Sequence, residues 1–456
     1  MKISARDVAS FTDGYILSGD EDTVFTGVST DSRSISEGDL FVALRGDRFN
    51  GHAFIPTAVS RGATGVVTME DVPRNGTVII SVEDTLQALG DIALGVRNRY
   101  DTAIVGVTGS TGKTTVKEFC ASILSLQGSC LKTEKNYNNL IGVPLALLAL
   151  GPEYEFAVIE MGTNRFGEID RLSFITRPRV SIITNINPVH LNGLRSISGI
   201  IKEKQAIFRN TAKFGMAVIN PSLEHMDKIE VPSHLQTITY SHKDPADITL
   251  VSIEHQGLDG SDIEVDLAGR TMRTHVPLPG MHNVVNALGA CACAVALGID
   301  PEIIAAGVRQ AKFPGMRSEI IVSEHMTIIN DCYNANPASM RAALAMLADA
   351  PHTLKVAVLG DMLELGKDSR FWHEELGRWV GETRIDRLIC IGEMAQAVCD
   401  AAAASGLDPA AIRRVEKMDE ILYNMQDLFD RDAMVLVKAS RALKLDQVVN
   451  QLKAVA

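Results

Sequence analysis

Short, nearly unbroken apolar runs punctuate this chain at 104–108, 156–161, 180–186 and 216–220, separated by helix-sized segments. Runs of this kind bury both faces of a strand, and their alternation with helices predicts a parallel sheet covered by helices from residue 102 onward. Before that point, 38–44 reads as a turn leading into a strand and 62–68 leads into another, so 1–101 is expected to be a small α/β domain. Residues 248–276 alternate more strictly and contain Gly257, Gly260 and Gly269, which predicts a β-rich addition ahead of a helix at 283–297. A Pro-Gly turn at 314–315 follows helix-like sequence, and the rhythm then restarts with runs at 356–360, 388–392 and 434–438. No G-x-G-x-x-G follows a strand in this last part, so its Rossmann-like pattern carries no expectation of NAD.

The strand at 104–108 passes directly into Thr108-Gly109-Ser110-Thr111-Gly112-Lys113-Thr114-Thr115, and 113–126 then carries Val116, Phe119, Ile123 and Leu124 at helical spacing. A glycine turn between a buried strand and a helix places phosphate against free backbone N–H groups at the positive end of the helix dipole. Lys113 adds a point charge and Thr114 a hydroxyl for Mg²⁺. The position five before Gly112 is Val107, so this is the shorter G-x-x-G-K-T form of the loop, and a merely tight strand–helix turn is the competing reading. The expected fold class is thus α/β with three domains: a small N-terminal α/β domain (1–101), a central P-loop parallel-sheet ATPase domain (102–312) and a C-terminal Rossmann-like α/β domain (313–456).

Composition narrows the partners. With 456 residues and 46% apolar side chains the chain has material for several cores, while a net charge of -12 without a Lys/Arg cluster excludes a nucleic-acid surface. No apolar run approaches the ~18 to 20 residues of a membrane span, and 1–7 lacks the apolar core of a signal peptide, so a cytoplasmic protein is expected. Seven scattered cysteines read as free thiols. Cys291 and Cys293, in an alanine-rich helical run without a second pair, read as helix packing ahead of a metal site.

Two further residues stand at strand ends. Glu160 closes the run 156–161, and His190 follows the run 180–186 through Asn187-Pro188-Val189. Ligands of open parallel sheets sit beyond the carboxyl ends of the strands, so both side chains could face the bound phosphates; a helix-capping glutamate and a solvated loop histidine are the plain alternatives.

The ordered set formed by the loop 108–115, Glu160-Met161-Gly162, Thr184-Asn185-Ile186 with His190-Leu191, Gly280-Met281-His282-Asn283-Val284-Val285-Asn286-Ala287 and Asp331-Cys332-Tyr333-Asn334-Ala335-Asn336-Pro337 resembles the Mur ligases, the ATP-dependent amide-forming enzymes of peptidoglycan precursor assembly. Within that family, 333–340 and Leu359-Gly360-Asp361-Met362-Leu363-Glu364-Leu365-Gly366 are similar to the members that add D-alanyl-D-alanine to UDP-N-acetylmuramoyl-tripeptide; the Asp-Asn-Pro-Arg of the members that add meso-diaminopimelate is not found. The resemblance implies a monomer that phosphorylates the terminal carboxylate of the tripeptide and lets the dipeptide amine attack the acyl phosphate.

It also implies residue roles. Gly109, Ser110, Thr111, Gly112, Lys113, Thr114, Thr115, Asn283, Arg317 and Asp331 would bind ATP, with Lys113, Glu160, His190 and Lys204 catalytic. Thr114, Glu160, His190 and Lys204 would serve two Mg²⁺ ions. Lys204, in Lys202-Glu203-Lys204-Gln205-Ala206-Ile207-Phe208, would be carbamylated by CO₂ and so become an anionic oxygen ligand, with Lys202 the nearby alternative. Ser32 and Arg33 would meet the uridine diphosphate, Asn138 and Asn139 the muramoyl substrate, and Tyr333, Asn334 and Asn336 the dipeptide, with Lys438 a further dipeptide candidate. Two departures bear on local geometry: Leu191-Asn192-Gly193-Leu194-Arg195-Ser196 where the family often has a glutamate and a glycine-rich turn, and Lys438-Ala439-Ser440-Arg441 where glycine is common after the lysine. Another Mur ligase or a folylpolyglutamate synthase-like ligase shares the ATP machinery, and a P-loop nucleotide switch or ATP-driven binding protein would need the loop alone.

Overall fold

A computed structural model of the chain describes residues 2–46, 49–74, 76–323, 326–351, 353–425 and 432–455. The buried apolar runs become central strands of three main sheets. In the first, Tyr15–Ser18, Val78–Ser81, Gly65–Thr68, Asp39–Val42 and Gly27–Ser29 lie in that spatial order, parallel except for the first pair. Helix Thr85–Arg97 follows, started by Asp84, whose carboxylate accepts from Leu86 and Gln87 N–H. This helix is buried at Ala88, Leu89, Ile92, Ala93 and Val96, more than one face of a surface helix requires, because it packs on two sides. One apolar cluster accordingly runs from Val42 and Ile80 through Leu89 and Ile92 to Leu172 of helix Glu168–Thr176 and to Ile159 and Ile183 of the next sheet.

That second sheet has nine strands. From the outer edge inward come Arg270–Val276, Ser261–Leu267 and Ile248–His255, an antiparallel extension matching the β-rich stretch expected at 248–276. Then follow Gln236–Ser241, Met216–Ile219, Val180–Ile183, Ala103–Thr108, Phe156–Glu160 and Cys130–Lys132, all parallel. Helices Lys113–Gln127 and Met281–Ala296 cover its second face. Cys291 and Cys293 are buried there as ordinary packing, and burial holds the Cys291 thiol up at about 12. The parallel stacking sends the carboxyl ends of Ala103–Thr108, Phe156–Glu160 and Val180–Ile183 to one edge, which is where the P-loop, Glu160 and the segment leading to His190 meet.

The third sheet orders Glu319–Val322, Met326–Asn330, Ala433–Lys438, Leu354–Gly360, Arg387–Ile391 and Ile412–Val415, parallel after an antiparallel first pair, with apolar clusters on both faces. Cys130–Lys132, Gln236–Ser241, Glu319–Val322, Met326–Asn330 and Ile412–Val415 are strands that the apolar runs did not announce; most of these are short or partly exposed, and their pairing partners decide their conformation. Among the described residues no helix is long and apolar enough to cross a membrane.

Candidate active site

The P-loop is shaped by two close approaches. Gly109 has φ +150°, and a Cβ there would stand 1.9 Å from Thr184 Oγ1; Gly112 has φ +76°, with a Cβ 2.3 Å from Asn286 Oδ1. The neighbouring strand end braces the loop: Thr184 Oγ1 donates to the Thr111 carbonyl, Thr111 N–H donates to Asn185 Oδ1 at 2.9 Å, and Ser110 Oγ and N–H engage Asn187 and Asn185 backbone groups. Gly109→Ala should therefore displace Thr184, releasing the brace on Thr111 and weakening ATP binding about 5- to 150-fold while the sheet stays folded, since strain of this kind costs roughly 1–3 kcal/mol. Titration calorimetry with ATP, paired with circular dichroism, reads both halves of that expectation.

Within this frame Lys113 Nζ folds back on the Gly109 carbonyl at 2.9 Å, a stand-by position that bound phosphate would take over. Burial pushes its ammonium below the usual lysine range, Arg317 pushes the same way, and Glu160 opposes them. Glu160 is itself buried, its carboxylate accepting from Thr114 Oγ1 at 2.8 Å and from Asn138 Nδ2 at 2.8 Å. A carboxylate and a hydroxyl held side by side at a phosphate loop are hard oxygen donors of the type Mg²⁺ prefers. Among the described residues no group of three His, Cys, Asp or Glu side chains could hold a metal by itself.

Lys204 and Lys202, alike in sequence, are separated by the fold. Lys202 is exposed, whereas Lys204 is 1% exposed at the end of helix Ile197–Lys204. Burial drives the Lys204 amine well below its ordinary value, with the charge of nearby Lys113 adding to the effect and Glu203 opposing it. Glu203 is occupied otherwise, accepting from Gly167 and Ile169 N–H and from Thr163 Oγ1. Both effects favour the neutral amine, which is the form that attacks CO₂.

A cavity of about 710 Å³ opens over the loop, lined by residues 110–115, Asn138, Asn139, Glu160, His190 and Asn283 from the second sheet and by Arg317, Asp331, Tyr333, Asn334, Asn336 and Lys438 from the third. The two groups of site residues proposed from sequence, separated by up to hundreds of positions, thus share one chamber. Arg317 lies 3.9 Å over the Tyr333 ring. Asp331 accepts from Ser318 N–H and pairs with Lys438, which is buried and also donates to the Asn334 carbonyl at 3.0 Å. Several side-chain groups already have local duties: Asn336 Oδ1 caps helix Pro337–Asp349 through Ser339 N–H, Asn139 Oδ1 accepts from Ile141 and Gly142, and Asn283 Nδ2 donates to Pro279. Lys204 and Gly109 lie behind the lining rather than on it.

Ser32 and Arg33 are placed outside this chamber, in a turn of the first sheet. Arg33 is 84% exposed and grips Asp31, holding that carboxyl down at about 2. His190 lines the chamber, but its Nδ1 meets Glu364 from the third sheet. Neither Glu364 nor the bracing trio Thr184, Asn185 and Asn187 was assigned a task from sequence. The trio and Glu364, which follows the run 356–360, were both accessible by the rule that ligands gather at parallel strand ends, but nothing local told that Glu364 would meet His190, 174 positions away.

A glycine loop at a strand end, a buried acid beside it and a second α/β body closing the chamber define an ATP-dependent ligase architecture, and the comparisons place it: residues 24–97 match the Mur ligase family, catalytic domain, 107–294 the Mur ligase middle domain, and 316–441 the Mur ligase, glutamate ligase domain. The chain belongs to the Mur ligase family. It is 34% identical to the UDP-N-acetylmuramoyl-tripeptide--D-alanyl-D-alanine ligase of Bacillus subtilis (strain 168), over 99% of this chain and 98% of that enzyme. Among solved structures it superposes on MurF from Acinetobacter baumannii with a TM-score of 0.92 and 31% identity, covering 99% of each chain. MurF ligase from Thermotoga maritima in complex with ADP gives a TM-score of 0.83 at 27% identity, covering 93% of this chain and 96% of that one.

Proposed function

We infer that this chain is a cytoplasmic ATP-dependent ligase that joins D-alanyl-D-alanine to UDP-N-acetylmuramoyl-tripeptide in peptidoglycan precursor synthesis. The observation that carries the reading is end-to-end similarity to ligases of that name, combined with a chamber in which phosphate-loop and third-sheet residues face one another. A free carboxylate resists amines because it is anionic and lacks a leaving group. Phosphorylation by ATP cures both defects, the dipeptide amine then adds to the acyl carbon, and the tetrahedral intermediate collapses to amide and phosphate. The protein's task is to hold two anions together and neutralise them.

In this reading Lys113 and Arg317 offset charge on the transferring phosphoryl group, and residues 109–115 cradle it through their N–H groups. Asn283 meets the nucleotide from the second sheet, and Asp331, held by Lys438, turns toward its ribose from the third. Thr114 and Glu160 fit one Mg²⁺, and Glu160 with His190 and a carbamylated Lys204 a second; the ions supply charge neutralisation when bound. The depressed, buried Lys204 amine and the exposed position of Lys202 support Lys204 as the carbamylated residue. Asn138 and Asn139 approach the muramoyl peptide, Tyr333, Asn334 and Asn336 the dipeptide, and Ser32 with Arg33 the uridine diphosphate. The three sheets correspond to working domains of 1–101, 102–312 and 313–456, and the enzyme acts as a monomer.

Phosphate release measured with UDP-N-acetylmuramoyl-tripeptide and a choice of amine tests this directly. D-Alanyl-D-alanine should support turnover and yield the amide product, with meso-diaminopimelate and glutamate inactive. Preference for one of the latter would move the chain to another ligase of the superfamily, and ATP turnover without amide would favour a nucleotide switch.

A further inference from the structure

The contact between His190 and Glu364 is built from both sides. On the second sheet, His190 has φ +51° and its carbonyl accepts from Gly193 and Leu194 N–H, while the segment leading to it is tied to the P-loop through Ser110 and Asn187. On the third sheet, the loop carrying Glu364 is pinned at three successive residues. Asp361 accepts from Glu393 and Met394 N–H, Met362 N–H donates to buried His373 Nε2 at 2.9 Å, and Leu363 N–H donates to Ser440 Oγ at 2.9 Å. Glu364 itself has φ +65°, and its carbonyl accepts from Asn192 N–H at 3.4 Å. Left-handed backbone at a non-glycine residue costs roughly 1–2 kcal/mol, so a surface pair of ordinary worth would not explain two such residues meeting.

His190 lines the chamber and Glu364 does not. The carboxylate therefore stands behind the ring, at Nδ1, and Nε2 has no protein partner among the described residues. A carboxylate accepting from Nδ1–H fixes the tautomer that leaves the Nε2 lone pair free.

We propose that Glu364 is a positioning residue that reaches across the cleft to set the tautomer and direction of the His190 imidazole, so that this part of the site is complete only when the second and third sheets are closed on each other. The inference rests on the reading of His190 as a site residue of the ligase. It gives domain closure a chemical consequence at a named atom: an open enzyme binds ATP through residues 109–115 but presents a histidine free to rotate and to exchange tautomers.

The full-length enzyme, with ATP and both amide-forming substrates, supplies the kinetic test. Glu364→Ala should lower kcat about 10–100-fold, the usual loss when a partner behind a ligand histidine is removed. KM for ATP should stay within about twofold, because the phosphate loop is untouched. Glu364→Gln should recover much of the loss, since its amide oxygen still accepts from Nδ1–H, and in a His190→Ala background Glu364→Ala should add nothing further. Wild-type kcat in Glu364→Ala, or losses that multiply in the double variant, would overturn the proposal. Nitrogen-15 spectra of histidine-labelled protein with a non-hydrolysable ATP analogue provide a readout without turnover. The resonance absent from His190→Ala should carry its proton at Nδ1 in the wild type and lose that signature in Glu364→Ala; an unchanged signature would also overturn it. If the wild type made no amide, the ligase reading would fall while the spectra still tested the His190–Glu364 link.

Discussion

Lys113→Ala should reduce ATP-dependent amide formation by about 10³-fold or more, roughly 4 kcal/mol of lost transition-state stabilisation, with the melting temperature little changed. The side chain is only partly buried and touches loop carbonyls rather than filling a core, so its removal leaves the nine-stranded sheet intact. What disappears is a lysine whose Nζ already rests inside the phosphate loop, 2.9 Å from the Gly109 carbonyl. Burial lowers its affinity for a proton in the free enzyme, and the charge of an arriving triphosphate opposes that shift and favours the ammonium. Single-turnover phosphate release alongside thermal denaturation separates the two halves of the expectation. A folded variant that releases phosphate at the wild-type rate would remove the loop from the chemistry.

Lys204→Ala should be nearly as damaging, by about 10²–10³-fold, and formate or acetate at high concentration should restore part of the activity by standing where a carbamate oxygen would be. The argument starts from burial. Burial and the charge of nearby Lys113 favour the neutral form of the Lys204 amine; a neutral amine adds to CO₂ and releases a proton, giving a carbamate whose charge suits the second Mg²⁺ site proposed with Glu160 and His190. Enzyme equilibrated with carbon-13 bicarbonate should show a carbamate carbonyl resonance that Lys204→Ala lacks. Deleting a buried chain of this size also leaves a void, so Lys204→Met serves as the packing control. It should melt like the wild type and remain inactive, and full activity in either variant would acquit Lys204. Lys202→Ala, at an exposed position, should behave as the wild type.

The heart of the site was legible because it is local. The strand Ala103–Thr108, the glycine turn and helix Lys113–Gln127 are contiguous, and their chemistry follows from backbone N–H groups that any such turn presents. Glu160 was legible at one remove: a buried run that ends in a carboxylate places it at the ligand edge of a parallel sheet, whatever the neighbouring strands are. Cys291 and Cys293 were read as helix packing because they lie in an alanine-rich run without a second pair nearby, and both are buried in helix Met281–Ala296, which is enclosed from Asn283 to Ala294.

Other features had no local signature. Strand Gln236–Ser241 reads as a mixed polar stretch and exists because Met216–Ile219 on one side and Ile248–His255 on the other offer it hydrogen bonds. Asn336, a polar residue in a recognisable motif, turns out to spend its Oδ1 on a helix cap, and Lys438 is buried against Asp331. Local chemistry was therefore determined by the sequence itself: a phosphate loop, a strand-end acid, three α/β segments and the absence of a basic surface, all set by the order of neighbouring residues and the two periods of strand and helix. Tertiary structure alone decided which of two similar lysines is buried and which is exposed, which polar groups are left free for a substrate, and that Glu364 meets His190. Desolvation and long-range hydrogen bonding depend on what the rest of the chain brings to a residue, and neither is encoded in the few positions around it.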